Sequence, residues 1–325
     1  MDPAASSPPG LLVILGPTGV GKSELGLRLA ERLDGEIVGC DALQVYRGFD
    51  AGTAKPRAEE RARVPHHLID LLDPRVDFTL ADFVERAERA IAEIAGRGRV
   101  PLVVGGTGMY LRGLLRGVVQ APPRDESLRR RLRGMIERHG AARVHRWLAG
   151  LDPESAARVA PADGQRLVRA LELALSAGPT WSERLRREGS WQASRERYPS
   201  LKIGLDLERQ LLARRLDRRV DRFFEGGLID EVRQLLADGV PPSANAFRAI
   251  GYREILAAGS ADSAELRAEV QRNTRKLSKR QRTWFRKEPD VIWLDRVRDL
   301  DPLVERVTEL WRGGEWYTRW PSGAG

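Results

Sequence analysis

The octapeptide Gly-Pro-Thr-Gly-Val-Gly-Lys-Ser at Gly16–Ser23 constrains the fold more than any other stretch of the chain. It satisfies G-x-x-x-x-G-K-[ST] at every constrained place. It follows the apolar run Leu11-Leu12-Val13-Ile14-Leu15 and leads into Glu24–Ala30, which has helical spacing. Strand, glycine-rich loop and helix together form the context of a phosphate-binding loop, and they imply an α/β fold with a P-loop, kinase-like parallel sheet. Gly16, Gly19 and Gly21 let the backbone turn tightly around Pro17, so that N–H groups from Thr18 through Val20 and beyond converge on phosphate oxygens. Lys22 reaches the same oxygens, and the Ser23 hydroxyl is the candidate ligand of an accompanying Mg²⁺.

Composition narrows the partner. The 325 residues carry a formal charge of +9, with a pI near 10.1, which favours a polyanion; a bias toward arginine in the genome would produce the same total, so distribution decides. Residues 1–10 form a Pro, Ala and Ser stretch without a basic start, expected to be a disordered leader and not a signal peptide. No window has the apolar length of a membrane span, and a lone Cys40 excludes an internal disulfide framework and a cysteine zinc site. A cytoplasmic protein is expected.

Downstream, Glu36–Cys40 reads as a short strand ending at Asp41, where an open α/β sheet binds its ligands. Asp41 is therefore a candidate for the chemistry, with a turn-capping carboxylate as the alternative. A helix over Leu80–Ala95 feeds the strand Val100–Val104 and then Gly105-Gly106-Thr107-Gly108. Nucleotide hydrolases usually end such a strand in an Asp that serves Mg²⁺ and water. Here two glycines stand instead and no N-K-x-D tetrad occurs, so triphosphate hydrolysis is not the obvious task. Thr107 offers a hydroxyl to a ligand, or simply caps the next turn.

From 121 to 200 the pattern is helical, with sixteen basic and ten acidic residues, as expected of an inserted lid or partner-binding arm. Within it Gln165, Arg166, Leu167, Val168 and Arg169 lead a helix that presents Gln165 and Arg169 on one face, suited to phosphate and base edges or else simply solvated. The α/β core is expected to resume at 201 and run to 315. Arg215 and Arg219, four apart on a helix, repel unless they are solvated or share an anion. Arg248-Ala249-Ile250-Gly251-Tyr252-Arg253 interleaves basic residues with an aromatic. Gln271–Lys287 has eight basic residues and no acidic one. Its thin apolar face favours nucleic acid over a membrane surface.

Taken in order, GPTGVGKS, DALQVYRGFDAGTAKP, PHHLID, VVGGTGMYL, DPESAARVAPADGQRLVRALE, RAIGYRE and TRKLSKRQRTWFRK resemble the bacterial tRNA dimethylallyltransferases, over about residues 11 to 295. The resemblance implies transfer of a dimethylallyl group from its diphosphate to N6 of the adenosine 3′ of the anticodon, in tRNAs reading codons that begin with U. It implies Asp41 as general base and Thr107 near the reacting centre. Gly16–Ser23 would be the diphosphate and Mg²⁺ cradle, and Asp41, Ala42, Leu43, Gln44, Thr107, Arg129, Gln165–Arg169 and Arg248–Arg253 the tRNA contacts. Arg215 and Arg219 are our own candidates for neutralising the departing diphosphate. The expected partners are the tRNA anticodon stem-loop and dimethylallyl diphosphate, with a monomeric protein and no membrane. Adenylate prenylation shares the loop and Asp41 but leaves the basic segments without a task. A small-molecule kinase would use ATP as donor, and a pure RNA-binding module would leave the phosphate loop idle.

Overall fold

The computed structural model describes residues 8–119, 121–122, 124–176, 178–188, 195–259, 262–296 and 299–318. Residues 1–7 of the expected leader and the last seven of the chain lie outside the described residues. The chain divides into two compact units, Met1–Leu115 with Glu196–Gly325, and Arg116–Arg195.

The first unit begins with β1 (Leu11–Leu15), α1 (Lys22–Arg32), β2 (Gly35–Cys40), α2 (Ala58–Arg63), β3 (His66–His67), α3 (Leu80–Gly96), β4 (Val100–Gly105) and α4 (Gly108–Arg116). The second unit holds α5 (Glu126–His139), α6 (Ala141–Leu151), α7 (Pro153–Arg158), α8 (Gly164–Leu175) and α9 (Trp181–Glu188). The chain then completes the first unit with β5 (Ser200–Asp206), α10 (Arg209–Glu225), α11 (Leu228–Ala237), a 3₁₀ turn at Asn245–Arg248, α12 (Tyr252–Ala257), α13 (Ala264–Phe285), β6 (Val291–Asp295), α14 (Asp301–Gly313) and α15 (Glu315–Thr318).

All six strands pair in parallel, in the order β3-β2-β4-β1-β5-β6. This is the α/β parallel sheet expected from the sequence. The continuous apolar runs have their cause here: every residue of β1 is buried, because helices cover both faces of a parallel sheet. Leu12, Ile14, Leu102 and Ile203 join Leu25 and Leu29 of α1 and Leu212 and Leu216 of α10 in one core. A second cluster in the same unit gathers Val45, Tyr46 and Phe49 with Leu228, Val232, Phe247 and Tyr252. The helical unit has its own core, built on Leu132, Val144, Leu148, Leu167 and Leu171.

Register sets the position of the site. Cys40 stands opposite Gly105, and Leu15 opposite Gly204. The segments that leave β1, β2, β4 and β5 therefore emerge along one edge, at the carboxyl ends of the strands, where open α/β sheets bind ligands. No helix among the described residues is long and apolar enough to cross a membrane.

Candidate active site

The loop after β1 is shaped by its glycines. Gly16, Gly19 and Gly21 take φ of 139°, 85° and 100°, a region costly for side-chain-bearing residues. A Cβ on Gly16 would also strike the carbonyl oxygen of Leu205. Pro17 is buried and offers its carbonyl to Lys22 Nζ at 2.8 Å. Val20 turns its side chain wholly into the sheet core, so only its backbone is available to a ligand. Burial pushes the Lys22 ammonium down from 10.5 to about 7, with Arg219 pushing the same way and Asp41 opposing.

This loop forms one wall of a cavity of about 810 Å³ that also takes in Ser23, Asp41, Gln44, Gly105, Gly106, Arg215 and Arg219. The volume is that of a small-molecule site. Asp41 caps the turn that follows it: its Oδ1 accepts from Leu43 N at 2.9 Å and from Gln44 N at 3.4 Å. Asp41 therefore caps its turn through one oxygen and also lines the cavity. Ala42 and Leu43 belong to that turn, and Leu43 packs against the second cluster. Gln44 donates its amide to the carbonyls of Thr53 at 3.1 Å and Ala54 at 3.2 Å. Across from Asp41, Thr107 N donates to Cys40 O at 3.3 Å. Thr107 starts α4 through its carbonyl, which accepts from Leu111 N at 3.1 Å, while its hydroxyl makes no hydrogen bond among the described residues; Thr107 lies one residue beyond the cavity lining.

Sequence reasoning found half of the cationic wall. Arg215 and Arg219 are joined by Arg218 and Arg222, at i, i+3, i+4 and i+7 on one face of α10. None of the four makes an ion pair or side-chain hydrogen bond among the described residues; Arg219 lies over the Phe223 ring at 5.2 Å. Burial holds both Arg215 and Arg219 below the usual arginine range, and Asp41 partly restores Arg219. Cations without ion-pair partners around one hollow, opposed there by carboxylates such as Asp41 and Glu24, favour an anion. The spacing of Arg218 and Arg222 was visible in the sequence.

Two other residues lie in quoted segments but were given no task of their own from the sequence. Lys55 is nearly buried and holds the loop before it by binding Tyr46 O and Asp50 Oδ1 at 2.6 Å and Asp70 Oδ1 at 2.5 Å. Gln281 of α13 accepts from Thr18 N at 2.8 Å and donates to Gly106 O at 2.9 Å.

Several expected RNA contacts are corrected by burial. Tyr252 is 0% exposed, and its hydroxyl donates to Glu231 at 2.5 Å and accepts from Gly52 N at 3.1 Å. It cannot stack on a base. Ala249 is also buried, while Arg248 is exposed, Ile250 packs on the second cluster and Arg253 pairs with Glu254 at 2.7 Å. Gly251, at φ 98°, serves the start of α12.

In the helical unit, Leu167 and Val168 are core residues. Gln165 and Arg166 are exposed. Arg169 is drawn to buried Glu172 at 2.7 Å, which also lies 3.8 Å from Arg129. Arg129 further pairs with Glu126 at 2.6 Å, so both arginines have a packing task of their own. The basic segment is α13 and its end, and three of its eight cations are committed: Arg275 to Asp217, Arg282 Nε to Asp206 at 2.9 Å, and Arg286 to Asp206 at 2.6 Å.

A family model described as IPP transferase matches residues 44–288. The chain is similar to a tRNA dimethylallyltransferase of Geobacter metallireducens, at 48% identity over 91% of this chain and 96% of that protein. A Geobacter sulfurreducens protein of the same name is 46% identical over 93% of this chain and 97% of its own length. Among solved structures, the tRNA isopentenylpyrophosphate transferase of Bacillus halodurans is similar with a TM-score of 0.69 and 38% identity, covering 95% of this chain and 98% of that one. A eukaryotic dimethylallyltransferase acting on tRNA aligns with a TM-score of 0.81 and 27% identity, covering 96% of this chain and 80% of that one. A phosphate loop facing a carboxylate and a row of free arginines, in a sequence matched along most of its length, places this chain in the IPP transferase family.

Proposed function

We propose that the protein transfers a dimethylallyl group from dimethylallyl diphosphate to N6 of the adenosine 3′ of the anticodon, in tRNAs reading codons that begin with U. The observation that carries the reading is the composition of the single cavity wall: phosphate loop, Lys22 and the α10 arginines stand around Asp41, and no second carboxylate ends β4 to activate water.

The chemistry follows from the charges. N6 of adenine is a weak nucleophile, so its attack on the allylic C1 needs two aids. The C1–O bond must break with its electron pair going to the diphosphate, which Lys22, Arg215 and Arg219 neutralise as charge develops. The proton lost by N6 must have an acceptor, and Asp41 takes it through the oxygen not engaged in the turn.

No group of three or more His, Cys, Asp or Glu that could hold a metal ion occurs among the described residues. That fits an ion brought in with the donor: Mg²⁺ keeps most of its shell as water and phosphate oxygen. Ser23 would supply the hydroxyl ligand, and the ion would help neutralise the diphosphate. The target adenine must leave its stack to reach the cavity, which costs least in a loop. Arg129, Gln165, Arg166, Arg169, Arg248, Arg253 and the free cations of α13 are the proposed RNA contacts, in a cytoplasmic, monomeric enzyme.

The test is incubation of the purified protein with Mg²⁺ and labelled dimethylallyl diphosphate, against unmodified tRNA, AMP and ATP separately. Label in tRNA with equimolar diphosphate release is expected. Label in AMP and none in tRNA would reassign the enzyme to free nucleotides.

A further inference from the structure

Gln281 lies in the basic segment of α13 and lines the cavity beside the phosphate loop, and its amide joins the two halves of the site. Its Oε1 accepts from Thr18 N in the phosphate loop at 2.8 Å, and its Nε2 donates to Gly106 O in the turn after β4 at 2.9 Å. One partner is a donor and the other an acceptor, so the amide has a single orientation that satisfies both. The fit is tight: a Cβ on Gly106 would lie 2.7 Å from Gln281 Nε2.

The helix that presents Gln281 is itself anchored at the sheet's edge. One residue on, Arg282 holds the Asp206 carboxylate at the end of β5, and Arg286 reaches the same carboxylate a turn later. Trp284 packs so closely on Gly108 that a Cβ there would collide with its ring, and Arg112 lies 4.6 Å over that ring. The C-terminal half of α13 is thus anchored across the segments that leave three strands, and Gln281 ties those after β1 and β4 together.

We propose that Gln281 is a positioning residue for prenyl transfer, fixing the distance between the loop that holds the donor's diphosphate and the turn, Gly106-Thr107, on the acceptor side. The proposal rests on the prenyl-transfer reading for its kinetic consequences alone. Gln281 need touch neither substrate. In an attack between two separately bound molecules, a misplacement of about 1 Å costs on the order of 100-fold in rate. Removal of the amide therefore lowers the rate of the bound complex more than it weakens the binding of either substrate.

Gln281→Leu keeps the volume and loses both hydrogen bonds; Gln281→Glu keeps the acceptor and loses the donor until it is protonated. For the leucine variant, kcat with dimethylallyl diphosphate and tRNA is expected to fall about 10- to 100-fold, with both KM values held within about threefold. For the glutamate variant, the ratio of its kcat to wild type at saturating donor is expected to rise as pH falls, because only the protonated carboxyl can donate to Gly106 O. A part that merely stabilised the fold would lower the melting temperature without this pH-dependent rescue. Hydrogen exchange of the peptide holding Thr18, measured on the free protein, is expected to speed up at least tenfold in the leucine variant. Unchanged exchange at Thr18, a kcat within threefold of wild type, or a rise confined to the donor KM would each overturn the proposal. Wild-type protein that prenylates no RNA would retire the functional reading instead, while the exchange result would still decide whether Gln281 holds the loop.

Discussion

Asp41 shows why a single residue must be tested by two substitutions. Its Oδ1 holds the backbone of Leu43 and Gln44, a task that an asparagine oxygen performs equally well. Asp41→Asn therefore keeps the turn and removes only the proton acceptor. Its kcat is expected to fall by about 10²- to 10⁴-fold, with an unchanged melting temperature and unchanged tRNA retention on a filter. Asp41→Ala removes the turn's acceptor as well and is expected to add a stability loss of about 1 kcal/mol. An asparagine variant within threefold of wild type would end the general-base assignment. Lys22 offers a second test at this scale, through pH. Its ammonium is pushed down to about 7, chiefly by burial. Below pH 7 the lysine is charged in the folded and unfolded chain alike, and the burial cost is fully present. Between 7 and its ordinary value the unfolded chain holds a proton that the folded one lacks, so stability rises with pH across that window. A bound diphosphate reverses the balance by favouring the ammonium. At pH 8.5, where the donor's phosphates are already ionised, binding of dimethylallyl diphosphate is expected to take up close to one proton. Calorimetry in two buffers of different ionisation heat reads this directly, and zero uptake would refute it.

Elements explain why those residues meet, and α10 is the clearest case. Leu212, Leu216 and Val220 bury one face of it, which leaves Arg215, Arg218, Arg219 and Arg222 on the face toward the cavity. The inner pair is half-buried and the outer pair exposed. Arg219→Ala is expected to raise the donor KM or lower kcat, together by about 10- to 100-fold, the value of one charge-assisted hydrogen bond in a partly desolvated site. Arg218→Ala, at the solvated rim, is expected to change donor kinetics less than threefold; equal losses would show that depth does not matter. Steady-state kinetics with varied donor separate the two. Legibility in the sequence follows the same logic. Strands β1, β2, β4 and β5 and the loop after β1 could be read because parallel strands are apolar throughout and a phosphate loop has fixed spacing. Asp41 could be read because it ends a strand. The tasks of Lys55 and Gln281 could not: Lys55 gathers partners 5 to 15 residues away within irregular loops, and Gln281 reaches backbone 175 and 263 residues away, and neither pattern leaves a local periodicity. Tyr252 was misread for a related reason. An aromatic among arginines has the composition of a base-stacking surface, but partners 21 and 200 residues away fix its hydroxyl in the interior.

Charge at the scale of the whole molecule is less free than its total suggests. The chain carries +9, and Gln271–Lys287 alone contributes eight positive charges and no negative one. In the folded chain Arg275, Arg282 and Arg286 of that stretch are neutralised by Asp217 and Asp206, so they lock α13 to α10 and to the sheet. What remains is a row: Arg272, Lys276, Lys279 and Arg280 are exposed, without ion pairs among the described residues, at i, i+4, i+7 and i+8 of one helix. Such a row covers about 12 Å of one face, several phosphate spacings of a nucleic acid strand. The division predicts two classes of basic substitution in one helix. Lys276→Gln and Lys279→Gln are expected to leave the fold and the donor KM unchanged, to weaken tRNA binding, and each to lower the slope of log affinity against log salt by about 1. Arg282→Gln leaves Arg286 as the remaining ion-pair partner of the buried Asp206 carboxylate and is expected to destabilise the protein by about 1–3 kcal/mol while the salt slope of the folded fraction stays the same. Filter binding between low and moderate salt, paired with thermal melts, distinguishes them. A lysine pair with an undiminished slope would mean that the phosphates of tRNA lie elsewhere, and that the free charges of α13 are only its solvated face.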